Sequence, residues 1–312
     1  MEVTTAALSI PANEEVEIEF FPFFRMYRSG RVERFGGTDK VPPSLDPATG
    51  VDSKDVIIDP STGVFARLYL PPKANDGGKL PILFYIHGGG FCIESAASPI
   101  YHRHLNDLSS LTPLIAVSVD YRLAPEHSLP AAYDDSWTAF RWVFSRADPW
   151  IAQHGDFGRV FVAGDSAGGN IAHHIALQAA AEGLVIKGMA LIHPYFGGSV
   201  PVGSEFADSG RMWKFIFPDT EGLDDPRRNP VAEGAPSLAA LGCERVLVSV
   251  AEKDFLRERG KIYYQTLKES GWRGEMELVE TPEANHVFHL LHPETEQAKN
   301  KIKLLTDFLK KD

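Results

Sequence analysis

The amino-acid sequence predicts an α/β fold with a mostly parallel central sheet and helices on both faces. From Val64 onward, short apolar runs alternate with longer segments of helical pattern, and Gly, Pro or charged residues bound each run. This alternation is typical of strands joined by crossover helices, which build a parallel sheet. The chain of 312 residues is long enough for one large domain of this class with additional segments.

The apolar runs and the helical segments can be placed one by one. Seven runs predict strands: "VFARLYL" (64–70), "PILFYI" (81–86), "LIAVSV" (114–119), "VFVA" (160–163), "MALIH" (189–193), "RVLVSV" (245–250) and "MELVE" (276–280). Five segments predict helices: Pro99–Leu111, Ala131–Ser145, Asn170–Ala181, Arg257–Ser270 and Pro293–Lys310. The first two runs, joined by "KANDGG", predict an antiparallel hairpin at the start of the sheet. Residues 1 to about 55 predict irregular structure.

Composition and charge argue against several classes of protein. Hydrophobic residues make up 44% of the chain and charged residues 23%, as in ordinary globular proteins. The formal net charge of −11 and the lack of a basic run argue against a nucleic-acid partner. No apolar stretch approaches the ~20 residues of a membrane span. The two cysteines, Cys92 and Cys243, lack metal-ligand spacing and predict free thiols in a reducing compartment.

The N-terminal residues predict a cytoplasmic protein. They lack the basic start and the continuous apolar core of a secretion signal. Five glutamates among the first 19 residues argue against an organelle transit peptide, because such peptides are poor in acidic residues. The sequence does not indicate an oligomeric state.

A serine lies in a very short connection between a predicted strand and a predicted helix. The sequence "GDSAG" (164–168) follows the run "VFVA" and precedes an alanine-rich helical segment. Glycine allows the chain to turn this sharply, and the residue at the tip is then strained with its side chain projecting outward. Ser166 is therefore a candidate nucleophile, which needs a base within hydrogen-bond reach.

A glycine-rich loop and two polar residues follow other predicted strands. The loop "HGGGF" (87–91) leaves backbone N–H groups uncovered, where each could stabilise a developing oxyanion by roughly 3–4 kcal/mol. Asp254 follows "RVLVSV" and His286 follows "MELVE". The chain order Ser166, Asp254, His286 is the order of an α/β-hydrolase triad. The carboxyl ends of parallel strands share one edge of the sheet, so these features are expected to meet there.

Each motif also has an ordinary explanation. "GDSAG" alone fits a simple strand-to-helix turn, and "HGGG" alone fits a flexible loop or a phosphate-binding turn that lacks the usual Lys-Ser/Thr. Glu252 is an alternative to Asp254. Four further histidines are expected to pack or cap rather than catalyse: His173, His174, His289 and His292. The conjunction of four features, each after a strand and in the correct order, favours a serine hydrolase.

The chain resembles the hormone-sensitive-lipase-like α/β-hydrolases, and within them the plant carboxylesterase branch. The matching segments extend over nearly the whole chain and are "HGGGF" (87–91), "DYRLAPEHSLPAAYDD" (120–135), "GDSAGGN" (164–170), "EKDFLRERG" (252–260) and "NHVFHL" (285–290). "RMYRSGRVERF" and "VPPSLDPATGVDSKDV" also look like that branch. One departure is Phe255, where many relatives outside plants have proline.

The resemblance implies an α/β-hydrolase fold and a role for each site residue. Ser166 would be the nucleophile, His286 its general base and Asp254 the carboxylate that orients the imidazole. The backbone N–H groups of Gly89, Gly90 and Ala167 would form the oxyanion hole. The same resemblance gives His87 and Gly88 a supporting role in the loop, and Asp120 and Glu126 a structural one. No cofactor and no metal are implied, and the substrate would be a small-molecule ester.

Two segments predict a lid over the strand ends. Residues 1–55, with the aromatics Phe20, Phe21, Phe23 and Phe24, would form an N-terminal lid on a catalytic domain of residues 56–312. Residues 199–222, which carry Trp213, Phe215 and Phe217, interrupt the strand–helix alternation and would contribute to this cap. These aromatics either line an apolar substrate pocket or anchor the lid, and removal of residues 1–24 is expected to reduce activity more than stability.

Ester hydrolysis is the function that the intact motifs favour. The branch resembles plant gibberellin receptors, which have lost the triad histidine, but this chain keeps His286, which disfavours a pure receptor. Relatives that act as dehydratases or cyclases typically differ at the serine, the histidine or the oxyanion-hole glycines. An intact triad still leaves open an elimination in which His286 takes a carbon-bound proton.

Overall fold

A computed structural model describes residues 15–205 and 209–311. The strands are β1 (Val16–Phe20), β2 (Phe24–Tyr27), β3 (Val32–Arg34), β4 (Asp52–Asp59), β5 (Val64–Leu70), β6 (Leu80–Ile86), β7 (Ile115–Asp120), β8 (Gly155–Asp165), β9 (Ile186–Ile192), β10 (Cys243–Ala251) and β11 (Glu275–Thr281). The helices are α1 (Pro99–Leu111), α2 (Ala131–Ser145), α3 (Pro149–His154), α4 (Ala167–Ala181), α5 (Ser209–Ile216), α6 (Arg257–Glu269), α7 (Phe288–Leu291) and α8 (Glu296–Lys310). Short 3₁₀ turns lie at Pro72–Asp76 and Leu238–Ala240.

The central sheet contains eight strands in the order β4-β5-β7-β6-β8-β9-β10-β11. The β4–β5 and β5–β7 pairs are antiparallel, and all the others, from β7 to β11, are parallel. The prediction of a mostly parallel sheet is therefore confirmed. The carboxyl ends of the parallel strands meet at one edge, where the loops that follow β6, β8 and β10 begin.

The predicted hairpin between residues 64–70 and 81–86 is wrong. β5 pairs with β4 on one side and β7 on the other, whereas β6 lies between β7 and β8 in the middle of the sheet. The connection "KANDGG" includes part of a 3₁₀ turn rather than a tight reversal. β6 is buried along its whole length, as expected of a strand in the middle of a sheet whose two faces are covered. A hairpin strand at the edge of the sheet would not need such complete burial.

The two faces of the sheet bury separate apolar layers. Along β6, Ile82, Phe84 and Ile86 pack into one layer, with side chains of α2, α4 and α6. Leu83 and Tyr85 point to the opposite face and pack with α1 and α8. This period of two in a continuously apolar strand is expected where both faces of a sheet are covered. The predicted helices on both faces are confirmed.

The predicted helices occur with small differences at their ends. α1 and α2 have the predicted bounds, while α4 begins at Ala167 instead of residue 170, and α6 ends at Glu269. α8 begins at Glu296, not at residue 293, because Thr295 caps it by accepting the Ala298 N–H at 3.2 Å. The early start of α4 places Ser166 directly before the helix.

The N-terminal segment is more ordered than the sequence indicates. β1, β2 and β3 form a small antiparallel sheet, and β4 begins at residue 52, so the prediction of irregular structure up to about residue 55 is wrong for these parts. Residues 1–14 lie outside the described residues. These strands are only three to five residues long, and little period-two alternation is visible in so few positions.

The small sheet packs on the second predicted cap segment. The Phe20 and Phe24 side chains are buried, and their ring centroids lie 5.3 and 6.2 Å from that of Phe215 on α5. Trp213 and Phe217, also from this segment, are buried as well. The two segments predicted as a cap are therefore in contact, although residues 206–208 are outside the described part of the chain.

The start of α4 lies against the end of β6 with no room for a side chain. A Cβ added at Gly168 would lie 2.0 Å from the Ile86 carbonyl oxygen, and one at Gly164 would lie 2.4 Å from the Gly168 carbonyl carbon. Both contacts are with backbone atoms, which cannot rotate away. Glycine at these two positions is what allows the helix to begin directly beside the strand ends.

We expect Gly168→Ala to lower the free energy of unfolding by about 2–3 kcal/mol, because the overpacked backbone must shift. Urea denaturation of the purified variant measures this. Gly78→Ala is the matched control, since a Cβ there meets nothing within 4 Å, and it should stay within about 0.5 kcal/mol of the wild type. Equal stabilities of the two variants would contradict the close approach at Gly168.

Candidate active site

Ser166 occupies a strained backbone position between β8 and α4. Its φ is +52° and its ψ is −119°, outside the regions that ordinary residues adopt. The Ser166 N–H donates to the Ile192 carbonyl at 2.9 Å, and the Ser166 carbonyl accepts the Tyr195 N–H at 2.9 Å. The last residue of β9 and the segment that follows it therefore hold the two sides of the turn. Among the described residues, the Ser166 hydroxyl has no hydrogen-bond partner, and the residue is 8% exposed.

Asp254 and His286 form a hydrogen bond at the same edge of the sheet. The Asp254 Oδ2 atom lies 2.6 Å from His286 Nδ1, and Asp254 is buried while a quarter of the His286 side chain is exposed. Asp254 also accepts the Leu256 N–H at 2.9 Å, which fixes the carboxylate. A carboxylate at Nδ1 leaves Nε2 of the neutral ring unprotonated and able to accept a proton.

The sequence alternative Glu252 does not reach His286. Its side chain is exposed and accepts the Glu283 N–H at 2.7 Å, so it ties together the loops after β10 and β11. Of the two acidic residues after β10, only Asp254 contacts the imidazole. The two loops carry Asp254 and His286 beside each other because β10 and β11 are neighbouring parallel strands.

The glycine loop after β6 faces the start of α4. Gly89 and Gly90 have φ values of +98° and +61°, a region that favours glycine. A Cβ at Gly89 would lie 2.2 Å from the Ile93 carbonyl oxygen. The backbone N–H groups of Gly89, Gly90 and Ala167 donate to no other group within the described residues. Three unused donors thus lie on the two elements that meet at the strand ends.

His87 and Gly88 anchor the glycine loop through contacts with Tyr121 and Tyr101. The His87 ring stacks on Tyr121 with centroids 4.1 Å apart, and its Nδ1 donates to the Gly88 carbonyl at 2.8 Å. The Tyr121 hydroxyl donates to the His87 carbonyl at 2.9 Å. Burial lowers the pKa of His87 to about 4, so the ring is neutral near pH 7. His87 is therefore placed to support the loop rather than to transfer protons.

Asp165, beside Ser166, organises the interior of the site. The sequence leads to the expectation of a hydrogen bond to neighbouring backbone, but the carboxylate instead accepts the Tyr85 and Tyr101 hydroxyls at 3.0 and 2.9 Å. Tyr101 in turn accepts the Gly88 N–H at 2.8 Å. One chain of hydrogen bonds therefore joins the serine turn to the glycine loop, through a carboxylate whose pKa burial raises to about 6.

The small N-terminal sheet covers the glycine loop. A Cβ at Gly90 would lie 2.7 Å from Cε1 of Phe23, so the Phe23 ring lies directly on this glycine. Arg34 at the end of β3 donates to the Cys92 carbonyl at 2.6 Å and makes two bonds to the Glu126 carboxylate, at 2.8 and 2.6 Å. The sheet thus contacts the glycine loop through Phe23 and is attached to the Cys92 carbonyl, just after that loop, through Arg34. The bidentate ion pair joins Arg34 to Glu126 in the segment after β7.

Aromatic side chains pack beside the loop. The Phe91 ring centroid lies 5.9 Å from Tyr133, 5.8 Å from Tyr195 and 6.2 Å from Trp213. The Trp213 indole donates to Thr220 at 2.8 Å, which ties α5 to the segment that follows it. Trp213, an aromatic that the sequence assigns to the cap, therefore packs with Phe91 at the end of the glycine loop.

The structure also shows a residue at the site that the sequence analysis missed. His193 ends the run "MALIH" and is buried, and its Nδ1 accepts the Val287 N–H at 3.0 Å. His193, Asp254 and His286 bring potential metal-ligand atoms within 4.8 Å of one another. Each of these three side chains already makes a hydrogen bond within the protein, and these hydrogen bonds account for the close grouping. The position of His193 at a strand end was the only sequence signal for it.

Of the four histidines that the sequence analysis expected to pack or cap, His173, His174 and His289 pack against other side chains, whereas His292 does not lie in the interior. His173 is buried on α4 and bonds the Tyr263 hydroxyl at 2.9 Å, while His174 packs edge-on against Tyr133. His289 is buried behind the site, and His292 is exposed.

None of the helices in the described residues has the length and apolar content that a transmembrane helix needs.

Comparison with known proteins places this arrangement in a family. Residues 83–290 match the family model described as alpha/beta hydrolase fold. "Probable carboxylesterase 2" of Arabidopsis thaliana is 47% identical over 304 residues, which cover 95% of this chain and 97% of that protein. "2-hydroxyisoflavanone dehydratase" of Glycyrrhiza echinata is 46% identical over 325 residues, covering 97% of this chain and 99% of that one.

A third relative and a solved structure extend the comparison. "Tuliposide A-converting enzyme 1, chloroplastic" of Tulipa gesneriana is 51% identical over 290 residues, covering 89% of this chain and 74% of that protein. The solved structure of a Pyrobaculum calidifontis esterase has a TM-score of 0.72 and 31% identity, with 83% of this chain and 84% of that chain covered. The similar proteins thus include esterases and a dehydratase.

The raised pKa of Asp165 predicts a specific pH dependence of stability. The folded protein holds the Asp165 proton to about pH 6 while the ordinary value is 3.8, so its contribution is full below pH 3.8 and is lost as the pH rises through 6. Asp165→Asn removes this titration. The free energy of unfolding of the variant, relative to wild type, should therefore increase by about 1–3 kcal/mol between pH 4 and 7.

Urea denaturation at intervals from pH 4 to 7 measures this difference. Asp219→Asn, at an exposed position outside the site, is the control and should run parallel to the wild type. A constant offset for Asp165→Asn across the range would show that the carboxyl does not titrate there.

Proposed function

We propose that this chain, which belongs to the alpha/beta hydrolase fold family, is a serine carboxylesterase that hydrolyses small to medium carboxylic esters through an acyl-enzyme intermediate. The observation that carries the proposal is the hydrogen-bonded pair Asp254–His286 at the strand edge that also bears the strained Ser166. The fold family and its carboxylesterase and esterase relatives support a hydrolase activity. The esterase chemistry is the more specific step, and the esterases among the similar proteins support it.

The proposed roles follow from the positions of the groups. Ser166 is the nucleophile because its strained turn leaves the hydroxyl without a partner among the described residues. His286 is the general base, since Asp254 occupies its Nδ1 and leaves Nε2 for the proton. The free N–H groups of Gly89, Gly90 and Ala167 form the oxyanion hole. His87 and Gly88 hold the loop that carries two of these donors.

The reaction proceeds in two symmetrical halves. His286 accepts the Ser166 proton as the serine oxygen bonds to the ester carbonyl carbon, and the oxyanion is stabilised by the three N–H groups. His286 then returns the proton to the departing alcohol, and an acyl-serine remains. Water repeats the sequence, with His286 as base, and the carboxylic acid is released. Asp254 stabilises the imidazolium in both halves, and the steps use groups of this chain and water alone.

The proposal includes the division of the chain and its setting. Residues 56–312 form the catalytic domain, residues 1–55 the N-terminal lid, and residues 199–222 part of the cap. The substrate is a small-molecule ester. The cytoplasm is the proposed compartment, and because a similar tulip enzyme is named chloroplastic, expression of a fluorescent fusion of the full chain is the appropriate test.

An elimination on the same scaffold is the second candidate. The 46% identical dehydratase from Glycyrrhiza echinata is the observation that favours it. In that reaction His286 would remove a carbon-bound proton to give an enolate that the oxyanion hole stabilises, and would then return this proton to the leaving hydroxyl, which departs as water. Such a reaction needs no covalent bond to Ser166, which separates the two candidates experimentally.

We expect rapid hydrolysis of short p-nitrophenyl esters in a series from acetate to decanoate, and loss of turnover in Ser166→Ala. The expected fall in kcat is on the order of 10⁴-fold or more, because the covalent step is removed. Initial rates across the series also measure the size of the acyl pocket.

The control for that experiment is Ser199→Ala, at an exposed position in the cap segment, which should hydrolyse like wild type. A folded wild-type protein that turns over none of the esters would contradict the esterase proposal. If Ser166→Ala retained dehydration of a β-hydroxy ketone, the elimination would become the preferred function.

Phe23→Ala is expected to raise KM for apolar esters by about 5- to 20-fold, because the ring that covers Gly90 also excludes water from the site. Its matched control is Phe21→Ala two residues earlier, where the side chain is 78% exposed, and there KM should be unchanged. Steady-state kinetics and melting temperatures of both variants test this. Equal KM values for the two variants would contradict a role for the lid at the site.

A further inference from the structure

A short segment after β9 contacts both the serine turn and the loop of His286. Ile192 accepts the Ser166 N–H, and the next residue, His193, donates its own N–H to the Ser249 carbonyl of β10 at 2.8 Å. The φ of His193 is +47° and the side chain is 1% exposed. The backbone of His193 is thus fixed between the central strands, and its ring packs against the rings of His286, Phe288 and His289, at 5.8, 5.7 and 5.7 Å between centroids.

The His193 ring meets that loop at the peptide directly after His286. Its Nδ1 accepts the Val287 N–H at 3.0 Å, across 94 positions in the chain. Val287 has φ +46° and ψ +29°, a left-handed conformation that a β-branched residue adopts only when its surroundings impose it. A hydrogen bond to its N–H is such a constraint, and within the described residues the side chain of His193 provides it.

This hydrogen bond acts on His286 through the planar peptide unit. The Val287 N–H shares its plane with the carbonyl and Cα of His286. Fixing that N–H therefore fixes the ψ angle of His286 and the direction from which the imidazole leaves the backbone. Asp254 also holds the His286 ring, through the 2.6 Å contact with Nδ1. The centroids of the Phe255 and His193 rings lie 5.6 and 5.8 Å from that of the His286 ring.

The surroundings keep His193 in the form that accepts this bond. Its neighbours with ionisable side chains are Lys301 of α8, His289 of α7, His286 itself and Asp254 at the end of β10. Burial, together with the charges of Lys301, His289 and His286, holds the pKa of His193 well below its usual range. The ring is therefore neutral, with a lone pair on Nδ1 and its proton on Nε2.

We propose that His193 is a positioning residue for the reaction: its Nδ1 holds the Val287 N–H and thereby sets the orientation of the His286 imidazole toward Ser166. This inference rests on the proposed role of His286 as general base. It adds a residue that touches neither substrate nor the reacting atoms. It also means that the segment Ile192–Tyr195 anchors both partners of the proton transfer, Ser166 through backbone bonds and His286 through the ring of His193.

Two substitutions separate positioning from mere packing. His193→Phe keeps a planar ring of similar shape but removes the acceptor, so kcat should fall by about 10- to 100-fold with KM within about twofold, because a misplaced base affects the chemical step. His193→Asn retains an acceptor near the Nδ1 position and tolerates positive φ. It should restore kcat to within about fivefold of the wild type.

The control is His104→Phe, which removes a buried histidine of the same interior region. The His104 ring packs on those of Tyr85 and His289, at 5.6 and 5.3 Å between centroids. This variant should keep the wild-type kcat. Circular dichroism and titration of active sites with a phosphonate inhibitor normalise all rates to folded, competent enzyme. A wild-type kcat for His193→Phe, or an equal loss in His193→Asn, would overturn the proposal.

A readout independent of ester hydrolysis keeps the two proposals distinguishable. The proton between His286 Nδ1 and Asp254 gives a far-downfield proton NMR signal, which Asp254→Asn identifies by removing it. This signal should broaden or shift in His193→Phe and return in His193→Asn, whatever reaction the protein catalyses. An unchanged signal in His193→Phe would contradict the positioning role. If the wild type has no esterase activity but the signal responds to His193→Phe and His193→Asn as expected, only the proposed function is contradicted.

Discussion

The reversal of the chain at Ser166 is the constraint on which the rest of the site depends. A strand must pass into a helix through one residue with φ +52°, and this is possible only if the helix begins against the backbone of the neighbouring strand. Gly164 and Gly168 leave the space for that approach, and the residues after β9 supply the hydrogen bonds that hold the turn. The glycine loop after β6 and the histidine loop after β11 lie at the same edge of the sheet as this turn.

The sheet and the candidate site could be predicted from different kinds of sequence signal. Apolar runs bounded by Gly, Pro or charged residues identified β5 to β11, and all of these strands except the half-exposed β11 are largely buried. The positions of Ser166, Asp254 and His286 after strands followed from these runs. The pairing of the strands was harder to predict from the sequence. β6 and β5 are consecutive runs, but the order of strands depends on burial of both faces of β6, which a local pattern does not reveal. The short β1 to β3 carry too few residues for a period to show.

The side-chain connections within the site could not have been predicted from the sequence, for a physical reason. Asp165 bonds two tyrosines that are 80 and 64 positions away, and His193 bonds a backbone N–H 94 positions away. Such contacts are set by which loops the sheet order brings together. The residue types gave the chemistry, a carboxylate beside a serine or a histidine after a strand, but the partners required the fold. For Glu252 and Asp254, two positions apart, geometry alone decides which one meets the imidazole.

The contact of Phe23 with Gly90 would link two equilibria: binding of a compound at the proposed site and attachment of the N-terminal sheet. If a carbonyl compound binds at the N–H groups of Gly89 and Gly90 as proposed, it lies beside the Phe23 ring, and Arg34 attaches the N-terminal sheet to the Cys92 carbonyl after the glycine loop. Attachment of that sheet and binding at the proposed site would then be linked equilibria, and the factor by which one strengthens the other would be the same in both directions. A compound that packs against the ring would hold the N-terminal strands in place, whereas one that displaces it would release them.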